Sequence, residues 1–249
     1  MTKKKPSSEE ADVHLRNIRT NVSRRKFLSY AGLSASALAV ASCQKDMTGK
    51  EKNDLGLMSN KNPHDKPKNV VNLGHGDIGI LNYAYALEQL EAAFYIKVLQ
   101  NPYSGISAKE NTYLTDIRDH EIAHREFFRN VLGSRAIGSL EVDFSSINFS
   151  SRTSVLATAK AFEDLGVSAY NGAGELLESA DYLLFAGKIV SVEARHAAAI
   201  RDLITYGTFA DSTVVNSMGL DVYRTPAQVL QIAGTYVKTT IIANNLPTS

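Results

Sequence analysis

The chain of 249 residues is 44% hydrophobic and 21% charged, an ordinary globular balance that allows one substantial core. Its formal net charge of +1 is uneven: residues 1–42 hold eight Lys/Arg and three acids, leaving 19 basic and 23 acidic residues, a net of −4, in the remainder. That body lacks the concentrated positive charge of a nucleic-acid binder, and a single cysteine excludes an intrachain disulfide and any zinc or iron–sulfur site built on a CxxC pair.

In chain order, residues 1–42 read as an address. Ser23-Arg24-Arg25-Lys26-Phe27-Leu28 precedes an apolar run from Tyr30 to Ala41, too short to span a bilayer as a helix. A charged start, a short apolar stretch and small residues before a cut site describe a secretory signal. The paired arginines resemble the twin-arginine export signal, and Val40-Ala41-Ser42-Cys43 resembles a bacterial lipobox. The expectation is export by the twin-arginine route and lipid on Cys43, which gives a membrane-anchored lipoprotein in the periplasm or on the cell surface. Cargo of that route crosses folded, so a metal could be loaded before export. Residues 43–69, polar and holding Pro63 and Pro67, read as a flexible tether in which His64 is solvated. A folded domain then occupies 70–249.

Residues 77–100 place Ile80, Tyr83, Leu87, Leu90, Phe94 and Val98 at helical spacing, with Asp77 as N-cap and Asn101-Pro102 as terminator. Ser107-Ala108-Lys109-Glu110 is a capping box, opening a second helix that runs to Leu132 and stops at Gly133. Residues 134–150 look irregular, with a short extended piece at 140–144, and must travel the length of the bundle. A third helix is expected from Thr153 to Tyr170, ended by Gly172 and Gly174. A fourth runs from Ser179, a good N-cap, to Tyr206 before Gly207. Thr225 and Pro226 suit the N-cap and first position of a short extra helix reaching Ile241. The fold class is all-α: a four-helix bundle, core 77–206, with one long crossover and a short C-terminal extra helix.

The second helix contains Glu121-Ile122-Ala123-His124, the fourth Glu193-Ala194-Arg195-His196. Residues three apart share a helix face, so carboxylate and imidazole can reach one ion. Chance gives about 0.3 such pairs from this composition. The first helix adds Glu88 and Tyr95, the third Glu163 and Tyr170, with each Tyr two turns beyond its Glu on the same face. The second half thus repeats the first at offsets of 75 and 72 residues, which implies a pseudo-twofold site on the bundle axis.

The order Glu88…Tyr95, Glu121xxHis124, Glu163…Tyr170, Glu193xxHis196 resembles the ferritin-like superfamily across residues 77–206. The runs LNYAYALEQLEAAFY and VEARHAAAIRDL are most similar to its exported, desiccation-related branch. The resemblance implies a centre of two iron or two manganese ions. Glu121 and Glu193 would bridge the ions, Glu88 and Glu163 would cap one each, and His124 and His196 would complete the shells. Four carboxylates and two imidazoles suit either metal, and four carboxylates balance two divalent cations. Tyr95 and Tyr170 divide evenly between two roles: hydrogen-bonding a ligand carboxylate or accepting an oxidising equivalent, against simple core aromatics. Glu91, one turn from Glu88, could be an extra ligand, but its repeat counterpart is Gly166, so a surface or access-path role is expected. Bacterioferritin-like relatives often carry an acid before the Glu of each motif that orients a histidine; here those places are His120 and Val192, so the surroundings of the ligands differ and redox tuning does not carry over. Arg125 and Arg195 either pair with nearby acids or face solvent.

Gly74-His75-Gly76-Asp77-Ile78-Gly79 matches GxGxxG, yet Val70-Val71 is too little strand for a dinucleotide fold, and His75 reads as a loop residue. Three functions stay open: an oxidoreductase acting on dioxygen or peroxide (ferroxidase, peroxidase or catalase type), a metal-binding or storage protein with little turnover, and a non-catalytic, stress-protective bundle. Without a CxxC pair a peroxidase needs an external electron donor, whereas a catalase needs none. A cage for storage fits a tethered domain poorly. Oxidative or metal-stress defence is the expected task. The expected partners are the membrane, through lipid on Cys43, a second copy as a homodimer, and that donor.

Overall fold

The computed structural model describes residues 69–248. The signal segment, Cys43, and the tether up to residue 68 lie outside the described residues. The chain forms β1 (Val70–Asn72), α1 (Gly76–Gln100), α2 (Ala108–Leu132), a 3-10 turn at Gly133–Arg135, α3 (Arg152–Gly174), α4 (Ala180–Ile204), α5 (Pro226–Ala233), a 3-10 turn at Gly234–Tyr236, and β2 (Thr240–Ile242). The all-α bundle class holds. None of the described helices is long and apolar enough to cross a membrane.

Side-chain caps fix where these helices begin. Ser107 and Glu110 exchange hydrogen bonds as a capping box. Ser151 and Ser179 cap α3 and α4, and Thr225 with Gln228 boxes α5 behind Pro226. Asp77 departs from expectation, because α1 is capped at His75, without a side-chain bond. The Asp77 carboxylate instead accepts the N–H groups of Glu178 (2.8 Å) and Ser179 (2.9 Å), holding the entrance of α4 against that of α1.

α1 packs along α2 and α3 along α4, and the pairs meet through α1–α3 and α2–α4. The residues of α1 from Gly79 through Ala92 are all buried, so this helix is enclosed on every side. α2 and α4 bury only stripes. The crossover lies along α1 and is tied to it by buried amides. Asn82 donates to the carbonyls of Leu73 and Arg135 and accepts from the N–H of Ile137, and Gln89 accepts from that of Leu140. These bonds satisfy backbone groups that a buried loop would otherwise strand, and they hold α1 at the level of Glu88. The extended piece is a single antiparallel bridge between Val142 and Val237.

The end of the chain corrects two expectations. α3 continues through Gly172 to Gly174. A Cβ on Gly172 would lie 1.9 Å from the carbonyl oxygen of Arg224, so this glycine permits a close approach and does not stop the helix. Arg224 docks there by donating its backbone N–H to the Ser168 carbonyl (2.9 Å) and a guanidinium N–H to the Ser168 hydroxyl (2.7 Å). α5 ends at Ala233, well short of Ile241, because residues 240–242 pair in parallel with β1, Val70 opposite Thr240 and Asn72 opposite Ile242. A strand therefore does precede the GxGxxG run, but among the described residues its partner strand is β2, from the far end of the chain. The βαβ unit of a dinucleotide fold is absent among the described residues.

Candidate metal centre

Each helix of the bundle sends its buried acid to one point on the axis. Glu88, Glu121, Glu163 and Glu193 are each 0% exposed. Glu88, Glu121, His124 and Glu193 offer one donor atom each within 4.8 Å of one another, and so do Glu121, Glu163, Glu193 and His196. The two groups share Glu121 and Glu193. The sequence-predicted residues are thus brought together as a buried cluster that could hold metal ions.

The cluster obeys the predicted twofold pattern. His124 Nδ1 lies 2.8 Å from Glu193, 3.5 Å from Glu88 and 3.8 Å from Glu121. His196 Nδ1 lies 2.9 Å from Glu121, 3.4 Å from Glu163 and 3.8 Å from Glu193. Each imidazole leans toward the carboxylate of the opposite motif. These approaches lack hydrogen-bond geometry. Glu88 Oε2, Glu163 Oε2, both oxygens of Glu121 and Glu193, and both histidine Nδ1 atoms are buried with no hydrogen-bond partner. Buried polar atoms without partners are rare in folded proteins. Eight converging on one point, six of them carboxylate oxygens, are what a pair of cations would satisfy, so the donors fit iron or manganese.

Tyr95 and Tyr170 act across the bundle. The Tyr95 hydroxyl donates to Glu163 Oε1 (2.5 Å), and that of Tyr170 donates to Glu88 Oε1. A spacing of seven residues is a rise of about 10 Å, which puts each phenol out of reach of its own helix's glutamate. Each instead holds one oxygen of the other helix's glutamate and leaves the second oxygen facing its histidine. Burial, and then the neighbouring carboxylates, push both phenols well up, so they stay protonated donors.

Without a cation this pocket holds protons. Burial opposes charge on His124 and His196, but the surrounding carboxylates outweigh it and push each up to about 12. Burial and the facing Glu193 push Glu121 well above the usual carboxylate range. Glu193 is held down to about 2: burial works against its charge, and the two imidazoles outweigh it. Burial raises Glu163 to about 7 against the pull of His196. One of the two facing carboxylates protonated and the other ionised is the expected outcome for two acids sharing a site.

Glu91 corrects the sequence reading. It is 4% exposed, and burial followed by the charges of Glu121, Glu193, Glu163 and Glu88 pushes its carboxyl well up. It is a fifth carboxylate beside the cluster, not a surface residue. It fits because Gly166 faces it: a Cβ there would lie 3.1 Å from Glu91 Oε1. The signal was the one-turn spacing from Glu88, which places both on the same face. His120, set aside as a departure from the motif, reaches the cluster from outside, its Nδ1 2.9 Å from His196 Nε2. Arg125 pairs with Glu126, Arg195 is exposed, and His75 caps α1. Two small apolar cavities flank the site. One of about 20 Å³ is lined by Leu87, Phe128 and Tyr170 among others, and one of about 10 Å³ by Leu87, Glu91 and Gly166.

Among curated proteins none matches this chain closely enough to count as a relative. The family model described as the ferritin-like domain matches residues 76–206, more than half of the chain and the whole of the helical bundle that carries the site, and the chain belongs to that family.

Proposed function

We propose that the protein binds two iron or two manganese ions in this cluster and uses them in redox chemistry on dioxygen or peroxide, as an exported lipoprotein of the desiccation-related branch serving oxidative or metal-stress defence. The observation that carries this reading is the set of eight buried donor atoms without hydrogen bonds, arranged in two halves that repeat each other's distances. Glu121 and Glu193, shared by both donor groups, would hold both ions, Glu88 with His124 and Glu163 with His196 would hold one each, and Cys43 would carry the lipid. Bound iron or manganese would supply one-electron redox steps and a Lewis acid.

The chain's own residues prepare that chemistry. Four buried carboxylates on four separate helices hold the donors rigidly without a loop. Tyr95 and Tyr170 pin Glu163 and Glu88 through one oxygen and aim the other inward. The enclosing core keeps bulk water from the four glutamates, each 0% exposed. With no thiol pair in the chain, net reduction of peroxide requires an external donor, while disproportionation does not.

The test is an assay of the full chain, purified without chelators, for ferrous oxidation and for peroxide loss. Turnover that disappears in the double variant H124A/H196A is expected. Metal bound at the cluster without either turnover would reduce the protein to a binding or stress-protective bundle.

A further inference from the structure

We propose that His120 is a positioning residue that makes the two halves of the centre unequal, the half built on His196 being the tighter. This rests on the metal-holding reading and adds which half fills first.

His120 stands on the exposed edge of α2, one residue before Glu121, and points at α4. Its Nδ1 lies 2.9 Å from His196 Nε2, with the rings within 8° of parallel and their centroids 5.1 Å apart. That spacing is close to the nitrogen–nitrogen distance plus two ring radii, so the rings meet edge to edge in one plane. This is the geometry of an in-plane N–H···N hydrogen bond. His196 turns Nδ1 into the carboxylates. Once Nδ1 gives its lone pair to a cation, the ring proton sits on Nε2 and donates to His120 Nδ1. The bond fixes the tautomer and rotation of His196 and makes it a better donor toward the ion.

The internal repeat provides the control. The residue 72 positions after His120 is Val192, which offers no polar side-chain atom to His124. His124 is 12% exposed and His196 is 5% exposed, so the unsupported imidazole is also the wetter one. The inward distances of the two histidines agree within about 0.1 Å, so this outer contact is a difference that bears on an imidazole directly.

The test adds Co²⁺ to the metal-free full chain and follows occupancy by equilibrium dialysis and visible absorption. Wild type should fill in two steps separated by about 10- to 100-fold in affinity. H196A should delete the tighter step and H124A the looser. H120V, which copies the Val192 side, should weaken the tighter step until the two converge, with far-UV circular dichroism unchanged because His120 is exposed. H120N, which keeps a polar atom near the Nδ1 position, should restore part of the gap. Equal steps in wild type, an unchanged gap in H120V, or H120N as weak as H120V would overturn the role of His120 while metal binding stands. A folded wild type that takes up no Co²⁺ would instead defeat the metal-holding reading itself.

Discussion

The two ends of the centre match in what faces inward and differ in what stands behind it. The Glu88–His124 end and the Glu163–His196 end repeat each other's distances and their crossed tyrosine bonds. Behind them the repeat lapses: Glu91 answers to Gly166, His120 to Val192, and Gly172, pressed against Arg224, answers to exposed Lys97 on α1. A ligand set requires only donor types at fixed distances, and the twofold repeat delivers those. Affinity, proton content and docking of the rest of the chain are set by neighbours, and there each half takes its own course.

The strongest way to break the comparison is to remove both imidazoles. H124A/H196A should abolish stoichiometric metal binding while far-UV circular dichroism keeps most of its helical signal, and unchanged metal content would show that the cluster is not the site. Next in size is the contrast between equivalent positions on α3 and α1. G172A should destabilise the fold by about 3 kcal/mol, because its methyl meets the Arg224 backbone. K97A, at the exposed counterpart, should cost only the contact of its ammonium with the Phe149 ring, about 0.5–1 kcal/mol, in denaturant titrations. Equal effects would mean that the C-terminal segment does not press on α3.

The tyrosines sharpen the symmetry. Y95F and Y170F should each weaken metal binding by about tenfold, at opposite ends of the centre. A loss confined to one variant would show that only one end depends on its phenol.

A last effect concerns protons. Glu163 has a folded-state pKa raised to about 7 from an unfolded value near 4.5, so the stability it contributes is present below about 4.5 and is lost as pH rises through 7. The histidines, raised to about 12, begin to lose their contribution above about 6.5, in the same direction. Glu193, lowered to about 2, is already ionised throughout and adds no slope. The melting temperature of metal-free protein should therefore fall between pH 5 and pH 8, and added metal should cancel the fall by displacing those protons. A rise over that range without metal would contradict this account of the cluster.

Much of this was legible in the sequence because the governing physics is local. The Ser107–Glu110 box, the Thr225-Pro226 start and the three-residue spacing of each Glu-x-x-His depend on neighbours within one turn. What escaped depends on partners far along the chain. Asp77 looked like a cap for its own helix, yet its carboxylate serves Glu178 and Ser179, about a hundred residues away. Gly172 looked like a stop because the backbone of Arg224 is invisible from residue 172. α5 was drawn too long because residues 240–242 form their hydrogen bonds with β1. Glu91 was given a surface or access-path role because its burial depends on the missing side chain of Gly166 on another helix. The tyrosines were each placed over the glutamate of their own helix, and each bonds the glutamate of the other. The crossing to the other helix's carboxylate follows from how α1 and α3 meet, which no spacing within either helix contains.

The central claim is that this cluster holds two metal ions, and it is tested most directly by metal content per chain. The measurement is mass spectrometry on the full chain purified from its own cells without chelators. The account predicts about two iron or manganese per chain. Essentially none, in protein that keeps its helical signal, would contradict it and leave the twofold cluster of acids and imidazoles as a protonated, structural feature of a stress-protective bundle.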